Sequence, residues 1–469
     1  MKLKIAIAGL LSVALNPLLA AEYGDQVSSQ NAFTNQSSME AGLRTALAAT
    51  SEGDLDLGTQ SGGEIQELYA DIRPWLHYDF NADWHGYLYA QLFLPTGDVL
   101  LDQESTGGNS DVFFGAREFW LEYSGFTAYP GEALRVGKQR IKSNDGLWWD
   151  QDVEAIHWYF DTTTLQANLG VAQAFDTYRT DDAELRNDLK DRMFAFASLS
   201  GNIAPETRIG VQATFADDQS SDAQQGSFYS DDKLSTGRYV WLGLHLDNGF
   251  FDGVTSPDLA YWASVSWLKA TQDSVTLNTQ KIVTGINTQD TSALAGDAGI
   301  RWRLPVNTPI NAGIMIAAAQ GGNESLYTQT GLQSNRSRYT GTRASFHRFS
   351  EALRADFSNL VSTSIFISLP HETWDASLVA HKIERYSTDS GIITGGTSVS
   401  PATNSKEIGQ GLDLVLSYYN LDAVVPARWA NDADSYVRLR ASVFNTGDAY
   451  AANAQDTLHR VVFEWIMRF

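Results

Sequence analysis

Apolar and polar positions alternate along nearly the whole chain, most plainly from His459 to Phe469. There His459, Val461, Phe463, Trp465, Met467 and Phe469 form one series, and Arg460, Val462, Glu464, Ile466 and Arg468 form the other. A period of two places these series on opposite faces of a strand. A greasy, aromatic face opposed to a charged one suits a strand with lipid on one side and a polar lumen on the other, and about ten tilted residues cross a bilayer. Taken alone, this stretch would also serve as an edge strand of a soluble sandwich.

The rest of the chain decides between them. The alternation returns in Met39 to Leu47, Leu68 to Phe80, WHGYLYAQLF, DVFFGAREFWLEY, EALRVGKQRI, VEAIHWYF, TLQANLGVAQAF, DRMFAFASL, TRIGVQATF, RYVWLGLHL, YWASVSWLKA, AGIRWRL and INAGIMIAAA. It continues through RASFHRFSEALRADF, STSIFISL, WDASLVAHKI, EIGQGLDLVLSYY and SYVRLRASVF. Short turns at Asn81 to Asp83, Asp161 to Thr163 and around Pro205 take turns with long polar loops near 96–111, 176–191, 216–237, 270–295 and 320–342. With the closing stretch these are nineteen candidates, but a single-chain bacterial barrel has an even number, with both termini in the periplasm. The surplus lies between 345 and 384, where FHRFSEALRADF also fits helical spacing. The pattern therefore predicts an all-β protein, a transmembrane antiparallel β-barrel of about 18 strands. A sheet of that size, left open, would expose unpaired backbone groups to lipid, and barrels so wide keep a lumen.

The N-terminus is read separately. Lys2 and Lys4 precede an apolar run from Ile5 to Leu19 and then Ala20 and Ala21, so residues 1–21 are expected to be a signal peptide and 22–469 the barrel with long extracellular loops. No later apolar run is long enough for a spanning helix. Export permits disulfides, but the chain has no Cys.

Charge then narrows the partners. A net charge of -23 excludes nucleic acid, which needs a basic stripe. Yet 23 of the 33 basic residues are Arg, and many fall on the polar faces: Arg44 with Glu40, Arg73 with Asp71 and His77, Arg208 with Gln212, Arg301 with Arg303, Arg348 with Arg354 and Asp356, and Arg438 with Arg440. A charge facing lipid near the midplane would cost about 2–4 kcal/mol, so these residues point inward. Arg pairing with Asp or Glu across strands is the plain reading of any one of them; the doublets favour an electropositive conduit. Trp120, Trp148, Trp149, Trp158, Trp262, Trp267, Trp302 and Trp465 are expected in interfacial girdles, while Trp75 and Tyr436 face inward, where they could stack on sugar rings. The acidic loop with Asp217, Asp218, Asp222, Asp231 and Asp232 reads as solvated surface. There is no nucleophile elbow, and the eight His show no metal spacing, so no catalytic residue, metal ligand or cofactor is assigned.

The stretch REFWLEYSGFTAYPGEALRVGKQRIKSNDGLWWDQDVEAIHWYFDTT, with VAQAFDTYRTD, SNRSRYTGTRASFHRF, DASLVAHKI, SYVRLRASVFNTGDAY and HRVVFEWIMRF, resembles the alginate export porins of bacterial outer membranes. The resemblance implies a monomeric eighteen-stranded barrel, embedded in outer-membrane lipid, whose arginine-rich constriction passes the polyuronate alginate. It also implies a periplasmic helical-repeat lipoprotein as neighbour. Carried onto this chain, the constriction falls on Arg44, Arg73, Arg117, Arg354, Arg438 and Arg440, and the loop with Asp181, Asp182, Glu184 and Arg186 resembles a segment that reaches toward the lumen. Lys138 and Lys142 stand where the family tends to carry Arg, and Ser345 interrupts a basic pair. The alternative on the same barrel is an uptake porin for anionic oligosaccharides or small carboxylates, because direction is not written in a barrel.

Overall fold

The computed structural model describes residues 37–469 apart from 54–63, 97–111, 130, 182, 219–222, 230–234, 307–308, 323, 395–396, 400–402, 420–434 and 452–456. The signal-peptide segment, Asp182 and part of the acidic loop lie outside these residues. Eighteen antiparallel strands form one sheet. In chain order they are β1 Ser38–Gly53, β2 Glu64–Asp79, β3 Trp84–Pro95, β4 Phe113–Tyr123, β5 Glu132–Lys142, β6 Asp150–Asp161, β7 Leu165–Gln173, β8 Arg192–Ala204 and β9 Thr207–Asp218. They continue as β10 Ser235–Asp247, β11 Leu259–Leu277, β12 Val283–Leu304, β13 Ile310–Ala319, β14 Leu360–Pro370, β15 Trp374–Arg385, β16 Glu407–Tyr418, β17 Tyr436–Thr446 and β18 Thr457–Arg468. Each strand pairs with its neighbour in sequence, and β18 returns to β1 in a register running from Arg44↔Arg468 to Gly53↔His459. The backbone N–H of Phe469 and the carbonyl of Leu43 finish that seam at 2.8 Å. Closure leaves no edge to be satisfied by lipid.

Burial runs opposite to that of a soluble protein. Ile365, Ile367, Leu412, Leu416, Val443 and Phe463 are exposed, while Ser364, Ser368, Asp413, Ser417, Ser442 and Arg460 beside them are buried. An apolar exterior around a polar interior is the lipid-facing wall of a bacterial outer-membrane barrel. Short turns close one end: Asn81 Oδ1 accepts from the N–H of Asp83 and of Trp84 at 2.9 and 3.1 Å, fixing the β2–β3 turn.

Three expectations are corrected. Residues 270–295 are not a long loop, because β11 and β12 run on as a paired ribbon joined at 278–282. Most of its residues are Thr, Ser, Gln and Asp, and Val275 and Val283 pack against Tyr229, too few apolar positions for a periodicity reading to find it. RASFHRFSEALRADF is the surplus candidate and adds no strand to the wall. Only Phe346–His347 is extended, pairing with Arg336–Ser337, and Ser350 and Arg354 take positive φ of 67° and 51°. Finally, only Trp158, Trp267, Trp302 and Trp465 of the expected girdle take outward positions. Trp120, Trp148, Trp149 and Trp262 are buried inside.

The inner Trp residues report a core within the lumen. Residues 320–359, between β13 and β14, fold into the barrel. Near the long-loop end Asn359 Nδ2 donates to the carbonyl oxygens of Ser390 and Gly391 at 2.8 and 2.9 Å. At the short-turn end the N–H of Arg343 donates to Asp375 Oδ2 at 3.1 Å and its Nη1 to the Glu372 carbonyl at 2.9 Å. The segment thus runs the length of the interior. Phe349, Leu353 and Phe357 pack in one buried cluster with Trp148 and Trp149 from the β5–β6 connection and with wall residues such as Phe196 and Trp241. An aromatic pair can find apolar surroundings either in lipid or in such a core, so composition alone does not separate the two.

Candidate functional site

The inserted segment covers the inner faces of β10 to β16, reaches β17 and β18 through ion pairs, and leaves β1 to β6 comparatively bare. On the bare side, Arg44 and Arg73 share one carboxylate. Arg44 Nη1 lies 3.3 Å and Arg73 Nη2 2.7 Å from Asp71 Oδ2. Gln91 Nε2 donates to Asp71 Oδ1 at 3.0 Å while its Oε1 accepts from Arg117 Nη1 at 3.2 Å. Arg117 reaches Asp152 Oδ2 at 2.6 Å, and Arg140 reaches Asp150 at 2.6 Å. The two-residue period sets Arg44 and Arg73, whereas Arg117 sits at an irregularity in the β3–β4 register that turns it away from the face of exposed Leu121. The result is an arc of guanidiniums from β1 to β6 that touches solvent, with side-chain exposures of 22%, 20%, 16% and 36% for Arg44, Arg73, Arg117 and Arg140. A small concavity beside Arg117 is lined by Lys138, Asp152, Thr177 and Arg179.

A second cluster joins the inserted segment to the bare wall. Glu351 accepts from Arg336 at 2.6 Å, Arg440 at 3.1 Å and Arg460 at 3.3 Å, and Glu52 accepts from Arg354 at 2.9 Å and Arg460 at 2.7 Å. Glu464 adds a contact to Arg440 at 3.5 Å, so four guanidiniums share three carboxylates. Burial alone would raise the pKa of Glu351, but Arg336, Arg440 and Arg460 together hold its carboxyl well below the usual range. Arg438 lies close by on β17, its Nε donating to Ser417 Oγ at 3.0 Å and its guanidinium stacked 4.4 Å from the Tyr436 ring. Among the described residues Arg438 makes no ion pair.

The covered side behaves differently. Arg348 and Asp297 pair with both side chains fully buried, and His381 Nε2 meets Asp413 Oδ2 at 3.0 Å, again fully buried. Arg301 donates at 2.7 Å to the carbonyls of Phe250 and Tyr339, so it anchors the inserted segment. Arg303 turns toward Asp258 at 3.4 Å, at the short-turn end.

The fold thus brings together Arg44, Arg73 and Arg117 on one stretch of wall and Arg438 and Arg440 on another. Arg354 joins the second group, though from the inserted segment rather than from a wall strand; its positive φ places it in a loop turn, where strand periodicity does not apply. The Arg301/Arg303 doublet and Arg348 belong to the covered side. Arg186 donates to the Gly331 carbonyl at 2.7 Å, so the connection after β7 packs on the inserted segment. Sequence reasoning passed over Glu52, Gln91, Asp152 and Glu351, the groups that distribute the positive charge. Gln91 sat in a strand already recognised, with inward phase as its signal, whereas Asp152 precedes the recognised VEAIHWYF and shares the parity of exposed Ile156, so alternation carried no signal for it. Ser345, which interrupts a basic pair, contributes only its carbonyl, accepting from Arg440 Nη1 at 2.8 Å.

A family model described as alginate export matches residues 37–464. The chain is 39% identical to the alginate production protein AlgE of Pseudomonas aeruginosa over 91% of each chain. It is 36% identical to the protein of that name from Pseudomonas syringae pv. tomato, over 97% of this chain and 100% of the relative. Among solved structures, the crystal structure of Pseudomonas aeruginosa OccK11 (OpdR) aligns with a TM-score of 0.51 at 12% identity, covering 92% of this chain and 96% of that one. At that identity the likeness is one of fold.

Proposed function

We propose that this chain, which belongs to the alginate export family, passes the polyuronate alginate outward across the outer membrane along the arginine arc of its lumen. Each uronate unit carries one carboxylate, and the planar fork of Arg holds a carboxylate through two parallel hydrogen bonds while staying charged. One observation carries the reading: guanidiniums outnumber the carboxylates they share. Asp71 serves both Arg44 and Arg73, Glu351, Glu52 and Glu464 serve four guanidiniums, and Arg438 rests on hydroxyls and a phenol ring. Partial neutralisation also matters. A fully bare ring would trap a polyanion, whereas shared charges give several sites of modest strength from which a chain can move on.

The net charge of -23 does not oppose this, because the field of outlying acidic residues is screened within about 8 Å at physiological salt. We further propose that the barrel works as a monomer beside a periplasmic helical-repeat lipoprotein. Uptake of anionic oligosaccharides is the rival use of the same arc, and a deletion strain separates the two. With export as the role, polymer accumulates in the periplasm and secretion returns on complementation; unimpaired secretion with lost growth on oligouronates would establish uptake instead. In planar bilayers the channel is expected to be anion-selective, and cation selectivity would remove the electropositive passage.

A further inference from the structure

One cluster outside the passage brings metal-ligating side chains together at the short-turn end of the barrel. His77 and Asp79 stand two apart on β2 and so share a face, and His85 on β3 is the direct cross-strand partner of Asp79. This corrects the expectation that the His residues show no metal spacing. A ligand pair from one strand and a third from its neighbour becomes visible only once the register is known.

The geometry is close to that of a bound ion. One ligand atom from each residue lies within 4.8 Å of the other two. Asp79 Oδ1 is 2.6 Å from His85 Nδ1 and 3.6 Å from His77 Nε2. Around a tetrahedral zinc with bonds near 2.1 Å, ligand atoms sit roughly 3.3 Å apart, so small side-chain rotations suffice to admit an ion. The supporting contacts are also those of a metal site. Ser38 Oγ donates to Asp79 Oδ2, and Ser124 Oγ lies 3.5 Å from His85 Nε2, the ring nitrogen that faces away from Asp79. The β2–β3 turn ties both strands through the Phe80 N–H and the Trp84 carbonyl at 2.9 Å. Asp79 and His85 each retain 16% side-chain exposure, which leaves a route for entry.

We infer that His77, Asp79 and His85 form a site for one divalent transition ion of the zinc, cobalt, nickel or copper class. Two imidazoles and one carboxylate select such borderline ions over calcium and magnesium, which take oxygen ligands. Three protein donors leave a fourth position to water. The site is independent of what the lumen transports.

Untagged protein, folded in detergent and freed of metal with a chelator, would be titrated with cobalt(II) and followed by visible absorption, then with zinc. One equivalent of cobalt should bind with the intense bands of tetrahedral coordination, zinc should displace it, and magnesium should not. His77→Gln and His85→Gln should each weaken binding by at least about tenfold, with His371→Gln unchanged. Slowed migration after boiling shows that each variant remains a closed barrel. Absence of saturable cobalt and zinc binding in the unaltered protein overturns the site, as does binding of equal strength in the His77 and His85 variants.

Discussion

Arg348 and Arg73 line the inside of the same barrel. Arg348 is fully buried and pairs one to one with an equally buried Asp297. Arg73 keeps 20% of its side chain exposed and shares Asp71 with Arg44. The inserted segment makes the difference. Beneath it, every charge must meet an opposite one or a set of polar partners, as Arg301 meets the Phe250 and Tyr339 carbonyls, because water cannot compensate. Away from it, solvent tolerates a surplus of cations, and a surplus is what a passing polyanion can use. One fold therefore assigns the same residue type to cohesion on one side and, on the proposed function, to transport on the other.

The contrast fails if both sides respond alike to removal of a carboxylate. Asp297→Ala strands Arg348 in a dry site and should cost about 3–5 kcal/mol, read as a lower unfolding temperature and an earlier loss of heat-modifiable mobility. Asp71→Ala should cost about 1 kcal/mol or less, because solvent screens the guanidiniums it leaves. Equal losses would mean that the arc is as dry as the covered side.

The converse is tested on the cations. Arg73→Ala combined with Arg438→Ala should lower the unfolding temperature less than Asp297→Ala does, yet weaken channel block by mannuronate oligomers about tenfold or more, since a hydrogen bond to a charged group is worth about 1.5–3 kcal/mol. Unchanged block would place the binding surface elsewhere.

The smallest effect concerns how firmly the covering segment is seated. Burial pushes the Asp356 carboxyl up to about 6, from a usual value of 3.8, while Asn335 Nδ2 donates to its Oδ1 at 2.8 Å. The folded segment holds that proton more tightly than the unfolded chain does. Its stabilising contribution is therefore complete below the unfolded value and is lost as pH rises through about 6. Hydrogen exchange across residues 350–358 should quicken over that interval, and Asp356→Asn should remove the dependence. A flat profile in the unaltered chain would separate the segment's seating from this group.

The wall was legible in the sequence and much of the interior was not. Strands such as Tyr436–Thr446 announce themselves because lipid imposes apolar residues at every second position, and Arg438 and Arg440 were assigned inward by that phase alone. Residues 345–358 have no such solvent boundary. They are enclosed on most sides: Phe346, Phe349, Leu353 and Phe357 keep a helical spacing, yet the positive φ of Ser350 and Arg354 breaks any helix there, and the strand phase assigned to Arg348 and Arg354 does not apply. The arc's cations were visible, but the sharing of their carboxylates was not. Which Asp or Glu lies opposite which Arg depends on register and on a segment distant in sequence, as when Glu351 meets Arg460.

The join between first and last strands falls within the arginine clusters. Arg44 and Glu52 come from one side of it, Arg460 and Glu464 from the other. Until these two staves are zipped, Glu52 lacks Arg460 and the two arginine clusters stand apart. On the proposed function, the charged lining of the pore is completed in the same step that seals it.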